Sequence, residues 1–78
     1  MSDKEQEFKK HQGSLLRKAR KDARFSQQEV GTQLGVSQDI VSKLEKGDQA
    51  VSSYRLLELA KLYQKPITFF YMGNVAKI

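Results

Sequence analysis

Between Ser26 and Gly47 the chain carries two helix starts and two helix stops, punctuation that leaves room only for two short helices and a tight turn. Ser26 is followed three residues later by Glu29, the pattern of a capping box. The serine hydroxyl accepts from the Glu29 amide while the carboxylate reaches back to the serine amide. This predicts a helix over 27–34, with Val30 and Leu34 facing inward at i, i+4. Gly35 stands where a chain leaving a helix needs the left-handed conformation, which glycine adopts without steric penalty. Val36 then reads as a buried plug. Ser37 reads as a second cap, opening a helix over 38–46 with Val41 and Leu44 inward and Gly47 as its stop. A helix pair crossing near a right angle needs a tight turn and small residues at the closest approach. Gly35 supplies the turn and Gly31 the small residue. That arrangement leaves Gln38, Asp39, Ser42 and Lys43 on the outer face of the second helix, and a row of polar side chains on one exposed face is what a reader of the major groove requires.

Helical spacing also governs the flanks, and no stretch alternates apolar and polar residues as a half-buried strand would. Phe8, Leu15, Leu16, Ala19 and Ala23 recur on one helix face, interrupted by Gln12 and Gly13. The expectation is a helix over 14–23, preceded by an N-terminal arm or loose helix extension over 1–13. Ser52 and Ser53 offer caps for a helix over 54–63 that turns Leu56, Leu59, Ala60 and Tyr63 inward, with Leu57 alongside. Pro66 suits the first turn of a helix, where its missing N–H costs nothing. A short fifth helix is therefore expected over 66–72, presenting Ile67, Phe69 and Phe70, with 73–78 as a tail. The expected fold class is all-α: a compact five-helix domain over 14–72 with the helix-turn-helix at its centre.

Charge is unevenly placed. The chain has 14 basic and 9 acidic residues, a net of +5. Residues 17–24 hold Arg17, Lys18, Arg20, Lys21 and Arg24 against Asp22 alone. Residues 25–50 hold Lys43 and Lys46 against Glu29, Asp39, Glu45 and Asp48, a local balance of −2. A basic protein is drawn to polyanions by counterion release, although charge by itself does not separate DNA from RNA or an anionic membrane. The basic run Arg17 to Arg24 reads first as a solvated face supplying long-range attraction, with direct phosphate contact as the second reading. With no cysteine and with His11 alone in a polar region, neither a metal site nor a cofactor is expected. The chain holds no glycine-rich phosphate loop and no nucleophile elbow, so it does not read as an enzyme. No apolar run approaches the roughly 18 residues of a membrane span, and the polar N-terminus is unlike a secretory signal. A cytoplasmic, nucleoid-associated protein is expected. Short helices with inward apolar stripes also disfavour an amphipathic membrane-surface binder.

Four strings carry a resemblance: Phe25-Ser26-Gln27-Gln28-Glu29, Leu34-Gly35-Val36-Ser37, Val41-Ser42-Lys43-Leu44-Glu45-Lys46-Gly47, and Leu56-Leu57-Glu58-Leu59-Ala60. In this order, between about Leu15 and Phe70, they resemble the Cro/CI-type helix-turn-helix family of phage and bacterial repressors, also called the XRE family. The chain departs from the family's common residues at Gln12, Gly31 and Val51. The resemblance implies a lambda-repressor-like five-helix fold whose third helix lies in the major groove of double-stranded DNA. Gln38, Asp39, Ser42 and Lys43 would read base edges; glutamine can pair bidentately with adenine, and lysine favours guanine. Gln27, Ser37 and Lys46 would bind phosphates, Gln27 with help from the N–H groups at its helix start. Arg20 and Glu45 match a pair that forms a structural salt bridge in the family. Ile67, Phe70, Tyr71 and Met72 would contribute to a homodimer seam, with Phe69 in the core. A homodimeric transcriptional regulator follows, a repressor or autoregulator reading an inverted-repeat operator. The alternatives are an antitoxin or restriction–modification controller of the same fold, and a protein-interaction module that has lost base reading.

Overall fold

The computed structural model describes residues 3–72, Met72 in its backbone only. The expected tail over 73–78 lies outside the described residues. Five helices follow in order: α1 Asp3–Asp22, α2 Gln27–Leu34, α3 Gln38–Lys46, α4 Ser53–Tyr63 and α5 Phe69–Met72. There is no strand among the described residues. The fold is all-α: α3 packs against both α1 and α2, and α4 and α5 also rest on α1.

The middle of the chain follows its local chemistry. Ser26 Oγ accepts from the Glu29 amide at 3.0 Å and Glu29 Oε1 accepts from the Ser26 amide at 2.8 Å, a complete capping box. Gly35 turns left-handed at φ 73°, and the Val36 and Gly35 amides reach back to Gly31 O and Thr32 O, closing α2 in a Schellman motif. A Cβ on Gly35 would meet nothing within 4 Å, so glycine is required there for its φ alone. Ser37 Oγ accepts from the Ile40 amide at 3.3 Å and opens α3. Val36 is only half-buried, packed against the core rather than sealed within it. Ser52 caps α4, which starts one residue earlier than its expected Tyr54.

The ends differ more. α1 runs unbroken from Asp3, with no loosening at Gln12 and Gly13, and both of those residues are buried. A Cβ on Gly13 would stand 2.5 Å from Glu45 O and 2.7 Å from Leu44 O, so glycine is what lets the α1 and α3 backbones touch. Gln12 Nε2 donates to Phe70 O at 3.2 Å and ties α1 to α5. The polar interruption in the apolar stripe is therefore an inter-helix contact. Gly13→Ala should destabilise the domain by about 1–3 kcal/mol through backbone overlap. In an unconstrained helix the same change gains about 0.5–1 kcal/mol. A urea midpoint that rises instead would show that α1 and α3 do not approach this closely.

α1 ends in a left-handed residue as well, but that residue is Arg24, at φ 66°. Its amide and that of Phe25 close the helix on Lys21 O and Arg20 O. The core comprises Leu15, Leu16, Ala19, Val30, Val41, Leu44, Leu56, Leu59, Ala60, Tyr63 and Phe70. Burial pushes the Tyr63 phenol pKa well above its usual value, with the Glu45 charge adding to the effect. Phe8, expected on the inward stripe, is 43% exposed and lies beside Tyr71, ring centroids 6.1 Å apart. α5 begins at Phe69, after a pair of turns in which the Phe69 and Phe70 amides bond Pro66 O and Ile67 O. Within it one expected role changes: Phe70 is fully buried, so its side chain is core and not surface for a seam, while Phe69 is half-buried and packs against the same core. Leu57 also points outward, half exposed.

Candidate nucleic-acid interface

α3 is held from behind by one buried ion pair. Arg20, on α1, donates Nε to Glu45 Oε2 at 2.7 Å and Nη2 to Glu45 Oε1 at 3.1 Å, while its Nη1 donates to Phe25 O at 2.8 Å. The fork satisfies both carboxylate oxygens and fixes the end of α1 to the last turn of α3. The hydrogen bond to Glu45 raises the Arg20 pKa despite burial, so the charge is permanent.

The network continues to the surface. Gln27 Nε2 donates to Glu45 Oε1 at 3.0 Å, and Gln27 Oε1 accepts from Gln38 Nε2 at 3.4 Å. The first residue of α3 is thus steadied by α2, which is steadied in turn by the ion pair. Gly31 lets α2 lie close against the turn that leads into α3: a Cβ there would stand 2.7 Å from Val36 O. Arg55 of α4 supports the turn from the other side, donating Nη1 to Leu34 O at 3.5 Å and to Glu58 Oε1 at 3.0 Å.

On the outer face of α3, Gln38, Asp39 and Lys43 are exposed and Ser42 is half-buried. Asp39 and Lys43 face each other at 3.2 Å, an exposed pair one helical turn apart. Ser37 and Lys46 are exposed at the two ends of the helix, with the Ser37 hydroxyl engaged in its cap. Beside this face lies an open cleft of about 500 Å³ between α1, the start of α2 and α3, lined by Arg17, Arg20, Ser26, Gln27, Gln28, Gln38, Ser42, Glu45 and Lys46. Every one of these side chains is polar. Arg17 and Gln28 enter this lining without having been singled out in the sequence for it. The signal was available for Arg17, which stands one helical turn before Arg20.

The residues expected at a dimer seam are dispersed. Phe70 is in the core, Ile67 is half-buried, Tyr71 is 47% exposed next to Phe8, and the Met72 side chain lies outside the described residues. Among the described residues no group of acids and histidines is placed to hold a metal ion, and no helix is long and apolar enough to cross a membrane.

A family model described as Helix-turn-helix matches residues 16–70. Two HTH-type transcriptional regulators, from Sinorhizobium medicae and Rhizobium meliloti, are each 33% identical over 61 residues, which is 78% of this chain and 44% of theirs. The chain therefore spans less than half the length of the curated relatives it matches. The crystal structure of the DNA-binding domain of BldD superposes with a TM-score of 0.76 at 32% identity, covering 91% of this chain and 99% of that one.

Proposed function

This chain belongs to the helix-turn-helix family, in its Cro/CI-type branch, and on that premise we propose that it is the sequence-specific DNA-binding domain of a transcriptional regulator. The observation that carries the reading is the outer face of α3. Gln38, Asp39 and Lys43 are exposed where a duplex would meet them, on a helix locked to α1 by a buried two-point ion pair. Base reading needs donors and acceptors at the groove floor, held in register by contacts that do not yield. The relay from Arg20 through Glu45 and Gln27 to Gln38 supplies that rigidity. Structural likeness to a DNA-binding domain over nearly its whole length supports the same reading.

In this reading α3 enters the major groove and Gln38 pairs with adenine. Lys43 reaches guanine, Asp39 accepts from a cytosine amino group, and Ser42 meets a neighbouring base edge. Gln27, Ser37 and Lys46 hold the phosphates on either side. Two copies, placing their third helices about 34 Å apart, would read an inverted repeat. Regulation by such a domain is repression or autoregulation of a neighbouring operon.

The test is competition binding against randomised duplexes. Gln38→Ala should relax discrimination at one base pair by about 1–3 kcal/mol and leave the other positions unchanged. Discrimination that stays intact would remove Gln38 from the reading face. Affinity for all sequences alike in the unsubstituted chain would remove the proposal.

A further inference from the structure

The five bases between residues 17 and 24 do not form one face with one role. Arg20 is buried and consumed by Glu45. Lys18 lies 3.7 Å from Asp22, one turn away on the same helix. Arg24 forms the left-handed cap of α1, and neither it nor Lys21 lines the cleft beside α3. Arg17 does, and it is exposed with no carboxylate within ion-pair distance among the described residues.

From this division we infer that Arg17 is a phosphate-binding residue, gripping the duplex backbone from α1 across the cleft from Lys46. The inference rests on the DNA-binding reading and adds a third element, α1, to its backbone grip. The cleft's own acid does not satisfy Arg17: both Glu45 oxygens are already taken, Oε2 by Arg20 Nε and Oε1 by Arg20 Nη2 and Gln27 Nε2. Arg17, Arg20 and Lys46 against Glu45 leave the lining at +2. A free guanidinium in a positive cleft lined by polar residues is matched by an anion with two oxygens in one plane, which a phosphodiester presents. Gln38 and Ser42 share the same lining, so an anion held there would lie beside the face of α3 that reads bases. The remaining bases of the run act only through the long-range field.

Charge-matched substitutions test this, because Arg17→Gln, Lys18→Gln and Lys21→Gln each remove one unit of charge from the same helix. Each variant of the full chain is titrated with a selected operator duplex and a random duplex between 50 and 200 mM salt. Arg17→Gln is expected to weaken both duplexes about tenfold, the loss of one charge-assisted contact. It should also shallow the log K against log salt slope by about 0.9 per site. Lys18→Gln and Lys21→Gln should change affinity by less than about twofold, as exposed charges remote from the contact do. Equal effects from all three would show diffuse attraction and overturn the inference, as would an Arg17→Gln loss confined to the operator. Failure of the unsubstituted chain to prefer any sequence is a different result, and it would sink the DNA-binding reading first.

Discussion

Glu45→Ala is expected to remove about 3–5 kcal/mol of folding stability, the cost of leaving one member of a buried pair without its counter-charge. The side chains of Arg20 and Glu45 are only 10% and 4% exposed, so water does not compensate. Arg20 would keep a single neutral acceptor, Phe25 O, for a guanidinium that is always charged. A domain of this size holds only about 5–15 kcal/mol in all, so chemical denaturation should show a large shift in midpoint. Replacing both partners together separates charge from packing. Arg20→Met with Glu45→Leu should recover most of the loss, because a buried pair exchanged for apolar residues of similar volume is often neutral or better. That double variant also isolates function. It would fold, yet Gln27 Nε2 would lack its acceptor and Gln38 would be steadied only by a loosened Gln27. Base discrimination at the position of Gln38 should therefore fall although stability returns. A loss under about 1 kcal/mol for Glu45→Ala alone would put the pair among exposed salt bridges and undo its role as the support of α3.

How far the sequence could be read depended on whether the deciding contact was local. The bounds of α2 and α3 were legible at both ends because each is set within four residues: Ser26 with Glu29, Gly35, Ser37 with Ile40, and Gly47. The start of α1 was not. Gln12 and Gly13 look like an interruption when only their neighbours are weighed. Their partners are Phe70 O and the Leu44 and Glu45 carbonyls, more than thirty positions away. Phe8 has the spacing of the core stripe, but it meets Tyr71 of α5 and an open cavity shared with Ala50 and Val51, so periodicity predicts burial where the packing stays incomplete. α1 stops on a left-handed Arg24, for which residue type gives no warning.

The site divides the same way. Which residues lie on the outer face of α3 follows from its buried apolar residues, Val41 and Leu44. Which of the bases in α1 accompany them does not follow from charge. Arg17, Arg20 and Arg24 are chemically alike in the sequence; what separates them is a cleft, an ion pair and a turn. Within α5, four residues are too few to carry a period, and sequence alone could not assign an inner face to Phe69 or Phe70.

Phe70→Ala tests that last assignment with an effect of similar size. Phe70 is fully buried, meets the Phe69 ring edge-on at 5.2 Å, and is the point where α5 closes over α1. Truncating a buried phenylalanine costs about 3–5 kcal/mol, the transfer term plus the cavity left behind. The neighbouring Tyr71, 47% exposed, gives the contrast. Tyr71→Ala should shift the denaturation midpoint by no more than about 0.5 kcal/mol, as surface changes do. If Tyr71 also contributes to a homodimer seam, that variant will dissociate at higher protein concentration in sedimentation while unfolding as before. The two readouts thus separate core from seam within one turn of helix. A Phe70→Ala chain that unfolds like the parent but no longer self-associates would reverse the assignment: the ring would then be surface covered by a second copy, and α5 would have to sit against α1 by some other face.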